Sequence, residues 1–124
     1  MSKLRGVGLD LCAIDRMESL PHRDRFLARY YTEEEIAYIT GRGKAAAQSM
    51  AGIFAAKEAF VKALGVGLSI SMKEIAVTHT QTGQPRYALT GDAAALAAGC
   101  STSLSITHEE NMAAAVCIIM EEKD

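Results

Sequence analysis

The stretch Phe54-Ala55-Ala56-Lys57-Glu58-Ala59-Phe60-Val61-Lys62-Ala63-Leu64-Gly65 decides the fold, because it is the core of the longest uninterrupted helical pattern in the chain. From about residue 44 to residue 64 only Gly52 disfavours a helix, and the alanine content favours one. At helical spacing Met50, Ile53, Phe54, Phe60, Val61 and Leu64 fall on one stripe, and Ala51 and Ala55 flank it on the side that carries Glu58 and Lys62. That flank is polar and nearly bare of bulk, which leaves room for something large to lie against it. Lys57 projects into the apolar stripe, which implies snorkelling or an interface contact. Gly65 and Gly67 give a helix stop and a loop in which backbone can approach a phosphate.

Upstream, residues 5–14 read as a strand, with Val7, Leu9 and Leu11 alternating with Gly6, Gly8 and Asp10, so that Asp10 points away from the apolar side. Asp15 with Glu18 is read as a capping box for a short helix closed by Pro21, and Thr32 with Glu35 as a second box for a helix that Gly41 ends. Arg23, Arg25 and Arg29 lie between them with Phe26, Tyr30 and Tyr31, a basic and aromatic stretch.

Downstream, residues 74–80 and 84–90 alternate around Thr82-Gly83 as a hairpin. Asp92 is expected to cap a small alanine-rich helix ended by Gly99. Residues 101–108 and 112–120 form a closing hairpin whose second strand is apolar on both faces, the pattern of a strand covered on both sides. The order strand, helices, hairpin, helix, hairpin predicts an α+β fold with a small antiparallel sheet packed on a long central helix, in one domain spanning residues 1–124.

The chain has 124 residues, of which 49% are hydrophobic, enough for one modest core that partner subunits would help. It has no apolar run near the roughly 20 residues that cross a bilayer and no long apolar segment at its start, so a cytoplasmic location is expected. Cys12, Cys100 and Cys117 are widely spaced among apolar neighbours, which argues against a disulfide framework and a thiolate zinc site. A net charge of −2 argues against a whole-surface nucleic-acid binder.

Three places carry chemistry. Asp10 stands alone among apolar residues, and its plain alternative is a turn or cap carboxylate. Glu58 and Lys62 are four apart, which is also ordinary surface ion-pair geometry. His108 shares a strand side with Leu104 and Ile106, where a satisfied core or turn histidine is the plain alternative. Together they offer two carboxylates for a hard cation, a lysine and a histidine for phosphate oxygens, and a glycine loop. Magnesium suits that set, since it takes few protein oxygens and fills its octahedron with water and phosphates.

Four segments resemble the acyl-carrier-protein synthase family in the right order over almost the whole chain: Gly6-Val7-Gly8-Leu9-Asp10-Leu11, the residues 54–65 quoted above, Thr82-Gly83-Gln84-Pro85, and Ser103-Leu104-Ser105-Ile106-Thr107-His108. The resemblance implies a magnesium-dependent phosphopantetheinyl transferase that moves the 4′-phosphopantetheine arm of coenzyme A onto a serine of an apo acyl carrier protein. The products would be the holo carrier of fatty acid biosynthesis and adenosine 3′,5′-bisphosphate. It implies that Asp10 and Glu58 hold the metal, that Lys62 neutralises phosphate charge, and that His108, Pro85, Gly65 and Gly67 lie along the coenzyme. The carrier serine would lose its proton to a metal-bound water or to Asp10. Arg16, Arg23, Arg25, Arg29 and Phe26 would dock the acidic carrier helix, steered by opposite charge. The family works as a homotrimer with active sites between subunits. This chain departs from it at Ile53, where the family often has arginine, so Arg42 and Lys44 are the candidates for the ribose-phosphate contact. Two other classes compete: a non-catalytic module binding coenzyme A or a carrier, and a magnesium-dependent hydrolase of nucleotides or pyrophosphates.

Overall fold

A computed structural model describes residues 2–65 and 70–122. Strand β1 (Ser2–Ala13) opens the chain, followed by helices α1 (Ile14–Glu18), α2 (Arg23–Tyr30), α3 (Glu33–Thr40) and, after a short 3-10 turn, the long α4 (Ala46–Leu64). A hairpin of β2 (Ile75–His79) and β3 (Pro85–Leu89), helix α5 (Gly91–Leu96) and a second hairpin of β4 (Cys100–Glu109) and β5 (Met112–Glu122) complete it. The α+β order expected from the sequence is the one observed. Two antiparallel sheets form, one in the order β1-β5-β4 and one from β2 and β3.

Helix α4 lies across the larger sheet, and two glycines of β1 set how closely. A β-carbon on Gly8 would stand 1.8 Å from the Ala59 carbonyl oxygen, and one on Gly6 would stand 1.9 Å from that of Ala63. No side chain fits in those gaps, so backbone packs on backbone. The glycine and Asp10 side of β1 is therefore the side that faces the helix. The alternating Val7, Leu9 and Leu11 point outward and are each more than half exposed. β5 shares this asymmetry: Ala113, Ala115, Cys117 and Ile119 are buried, while Met112 and Ile118 on the other face are open. Within one chain the last strand is thus covered on one side, not on both as its sequence implies.

The expected room beside Ala51 and Ala55 is closed, since both are fully buried. Gly52 also serves a close approach, a β-carbon there meeting Ile106 Cγ2 at 2.9 Å. Lys57 neither snorkels nor reaches an interface. It is fully buried, its Nζ lies 2.8 Å from Glu35 Oε1, and it donates to the carbonyls of Met72 at 2.8 Å and Ile75 at 3.0 Å.

The Thr32–Glu35 capping box forms as read, and Gly41 ends α3. The other two expected caps do not form. α1 starts at Ile14 without a side-chain cap, and Asn111 accepts from the first backbone N–H groups instead, its carbonyl from Ile14 at 2.7 Å and its side chain from Asp15 at 2.9 Å. At α5 the Glu74 carboxylate accepts from Ala93 N at 3.2 Å, so Asp92 lies within the first turn rather than capping it. In both cases a residue distant in sequence satisfies the orphan donors of a helix start. Gly65 closes α4 in the left-handed region at φ +70°, and Gly83 makes the β2–β3 turn at φ +89°. Cys12 and Cys117 are buried free thiols, and Cys100 is free and half-buried. Among the described residues no helix is long and apolar enough to cross a membrane.

Candidate active site

The close seating of α4 on β1 brings Asp10, near the end of the strand, to the flank that carries Glu58 and Lys62. Lys62 Nζ sits 2.9 Å from Asp10 Oδ1 and donates to the Leu9 carbonyl at 3.1 Å. The ordinary helix-surface pair with Glu58 is therefore replaced by a pair across the strand–helix interface. Glu58 is half-buried, and burial raises its pKa. The Asp10 carboxylate raises it further, while Lys62 and Arg16 oppose the rise. Two carboxylates thus share one small region of negative potential, relieved only in part by cations.

Among the described residues no three histidine, cysteine, aspartate or glutamate side chains cluster at metal-binding distance. Two carboxylates alone suit a hard cation that keeps most of its coordination sphere for water and phosphate. The donor chemistry of Asp10 and Glu58 fits magnesium on that basis.

Glu58 lines a cavity with Arg29, Tyr30, Ile70, Ser71 and Met72. Arg29 and Tyr30 belong to α2, so the basic and aromatic helix borders the cavity that Glu58 lines. Phe26 packs on Tyr30 with ring centroids 4.7 Å apart and on Phe54 of α4 at 5.8 Å. The Arg16 guanidinium carbon lies 5.7 Å from the Phe54 ring centroid, which ties α1 into the same surface. Arg16, Arg25 and Arg29 are exposed, and Arg23 and Phe26 are half-buried.

A second cleft shares no lining residue with the first. Arg42, His79, Gly83, Pro85 and His108 line it together with Ile53. His108 is exposed here, not a core histidine. Ile53 presents an apolar wall, Arg42 lines the cleft, and the exposed Lys44 is not among its lining residues. Gly67 lies outside the described residues.

His79 and Tyr38 were not legible as site residues. Their rings stack with centroids 4.0 Å apart and 8° between planes, joining α3 to the end of β2. Nothing local in the sequence links two residues from different elements; a histidine beside the Thr82-Gly83 turn was the one available hint.

A family model described as the 4′-phosphopantetheinyl transferase superfamily matches residues 6–117. A holo-(acyl-carrier-protein) synthase of Treponema denticola is 43% identical over 118 residues, covering 92% of this chain and 96% of that protein. One of Myxococcus xanthus is 41% identical over 126 residues, covering 98% of each. Among solved structures, the holo-(acyl-carrier-protein) synthase of Bacillus anthracis in complex with CoA (3′,5′-ADP) superposes with a TM-score of 0.81 at 30% identity, covering 96% of this chain and 98% of that one. With the fold, the order of the motifs and relatives of this identity over nearly its full length in agreement, the chain belongs to the 4′-phosphopantetheinyl transferase superfamily.

Proposed function

We propose that this chain transfers the 4′-phosphopantetheine group from coenzyme A to a serine of an apo acyl carrier protein, in the cytoplasm and in the service of fatty acid biosynthesis. The names of its relatives and the coenzyme complex of a close structural neighbour support the reaction class. The observation that carries it is the Asp10–Lys62 pair seated on the helix flank that carries Glu58, which itself lines a cavity with Arg29 and Tyr30.

Asp10 and Glu58 would hold magnesium, which supplies charge neutralisation at a pyrophosphate. Phosphoryl transfer needs little covalent help beyond such positioning and neutralisation. The carrier serine gives up its proton to Asp10 or to water, its oxygen bonds to the pantetheine-side phosphorus, and the bond from that phosphorus to the bridging oxygen breaks, the electron pair leaving with adenosine 3′,5′-bisphosphate. Lys62, more than half exposed on a long stem, is suited to meet the charge that develops on the leaving nucleotide. Gly65 and Gly67 would let backbone lie along the phosphates. Arg16, Arg23, Arg25, Arg29 and Phe26 would seat the acidic carrier helix, delivering the serine next to Glu58.

A homotrimer with sites between subunits completes the proposal. The outward row Leu4, Val7, Leu9 and Leu11, continued by Ile118 and Met112, is an apolar sheet face that a second copy of the chain would cover. That the cavity of Glu58 and the cleft of His108 and Pro85 share no lining residue supports a site assembled from two copies.

The test is an intact-mass measurement on apo carrier proteins after incubation with the chain, coenzyme A and magnesium. Gain of a phosphopantetheine mass on a carrier is expected. Unchanged carriers across several candidates would favour a binding module, and free phosphopantetheine released without any carrier would favour a hydrolase.

A further inference from the structure

Helix α1 is five residues long, too short to keep itself helical, because a first turn fixes several backbone angles for a single hydrogen bond. Ile14 and Met17 are buried and anchor one side of it, and its start has no side-chain cap of its own. Ser19 closes the far end, its N–H and its hydroxyl both donating to the Asp15 carbonyl, at 3.0 and 2.9 Å. The near end is closed from the β4–β5 turn. There the Asn111 side-chain oxygen accepts from Asp15 N at 2.9 Å, and its carbonyl accepts from Ile14 N at 2.7 Å. Arg16, directly after the clamped amide, is exposed, and its charge acts on Glu58. Its guanidinium carbon lies 5.7 Å from the Phe54 ring centroid, an aromatic contact rather than an ion pair. Where that guanidinium stands therefore depends on where α1 carries it.

We propose that Asn111 is a positioning residue for carrier docking: from the turn beyond β4 it fixes the first turn of α1 and so sets where Arg16 presents its charge to an arriving carrier. Helix-start amides without a partner are the donors that let a short helix fray. A frayed α1 would leave Arg16 sampling several directions, and the ordering lost there would have to come out of the binding free energy of the carrier. Because the clamp comes from a different element, it also fixes the seating of α1 on the rest of the chain, which a cap from within α1 would not do. His108 lies shortly before Asn111, but its own place is set by ladder pairing with Ala113, so removing the Asn111 side chain should leave the second cleft undisturbed. This inference rests on Arg16 docking the carrier, as proposed above.

Steady-state kinetics with apo carrier protein and coenzyme A, each varied in turn, test it. Asn111→Ala should raise KM for the carrier about fivefold and change KM for coenzyme A by less than about twofold, in line with loss of one helix-capping contact. Asn111→Asp, which keeps the acceptor oxygen, should recover most of the loss. In an Arg16→Gln background Asn111→Ala should have little further effect on the carrier, whereas a merely structural role would show equally in both backgrounds. Asn111 is exposed, so its variants are not at risk of unfolding. Equal rises in both KM values, an unchanged carrier KM, an aspartate variant as impaired as the alanine one, or the full effect persisting without Arg16 would each overturn the inference. Titration calorimetry with the apo carrier separates this from the function itself. A parent chain that transfers the group while Asn111→Ala binds and modifies the carrier as well as it does would refute the positioning and leave the transferase. Carrier binding that Asn111→Ala weakens, with no transfer by the parent chain, would refute the transferase and leave the positioning.

Discussion

Lys57 Nζ and Glu35 Oε1 lie 2.8 Å apart with both side chains sealed from solvent, so the residue next to the candidate ligand Glu58 is bolted to the start of α3. The Glu35 carboxylate also accepts from Thr32 N at 2.8 Å and from Val77 N at 2.7 Å, and Lys57 holds the carbonyls of Met72 and Ile75. One buried pair thus fastens α4 to α3, to β2 and to the 3-10 turn before it. Removing one member leaves an uncompensated charge. Lys57→Met and Glu35→Gln are each expected to lower unfolding free energy by about 3–5 kcal/mol, with the double variant losing clearly less than the sum. Urea titrations of the four proteins check this, and additive losses would mean that the two do not act as a pair.

The glycines of β1 predict an asymmetry. Gly8→Ala places a methyl group on the Ala59 carbonyl and should abolish soluble folded protein. Gly41→Ala, at φ −71° with its nearest neighbour 3.4 Å away, should be tolerated or stabilising by about 0.4–1 kcal/mol. Circular dichroism melts of the two variants distinguish these outcomes.

Glu58 is half-buried on a helix that accepts alanine readily. Glu58→Ala should keep its melting temperature within a few degrees while carrier modification falls by about 100-fold or more. Activity near that of the parent would show that Glu58 is no metal ligand.

His79 titrates below its ordinary value of 6.5, chiefly through burial, with Arg42 adding to it. As pH falls through about 6.5 the unfolded chain binds a proton that the folded chain still refuses, so stability declines on that side and is constant above it. His79→Gln should flatten this part of the profile. Denaturant midpoints collected between about pH 7.5 and about pH 5.5 test it, and parallel curves for the two proteins would contradict it.

Val7 stands outward on the bare sheet face opposite Ile118. If a second copy covers this face as proposed, Val7→Lys should leave the subunit fold intact and shift sedimentation from the assembly to the monomer, with loss of transfer activity. A variant that still sediments with the parent would place the subunit contact elsewhere.

The motifs around Asp10 and Glu58 were legible because their residue types and spacing are local, and the capping box of α3 likewise. What sequence alone missed was decided by long-range partners. Lys57 looked misplaced in an apolar stripe because Glu35 was already accounted for as a cap. The N-terminal turns of α1 and α5 looked self-capped because Asn111 and Glu74 come from other elements. The alternation in β1 gave its two faces correctly, but its apolar face is the outer one, since a close-packed helix needs glycine rather than bulk beneath it. His79 acquires its place only through a stack with a distant helix.

The contact of Gly6 and Gly8 with α4 has a consequence for how this enzyme can change. A spacer made of main chain alone has no methyl group to add or trim, so the reach between positions 10 and 58 is not open to gradual retuning from beneath. The adjustable part is the length of the two acids themselves, and where they hold a cation as proposed, exchanging aspartate for glutamate, or the reverse, is the one-carbon step by which such a chain would come to prefer one of another size.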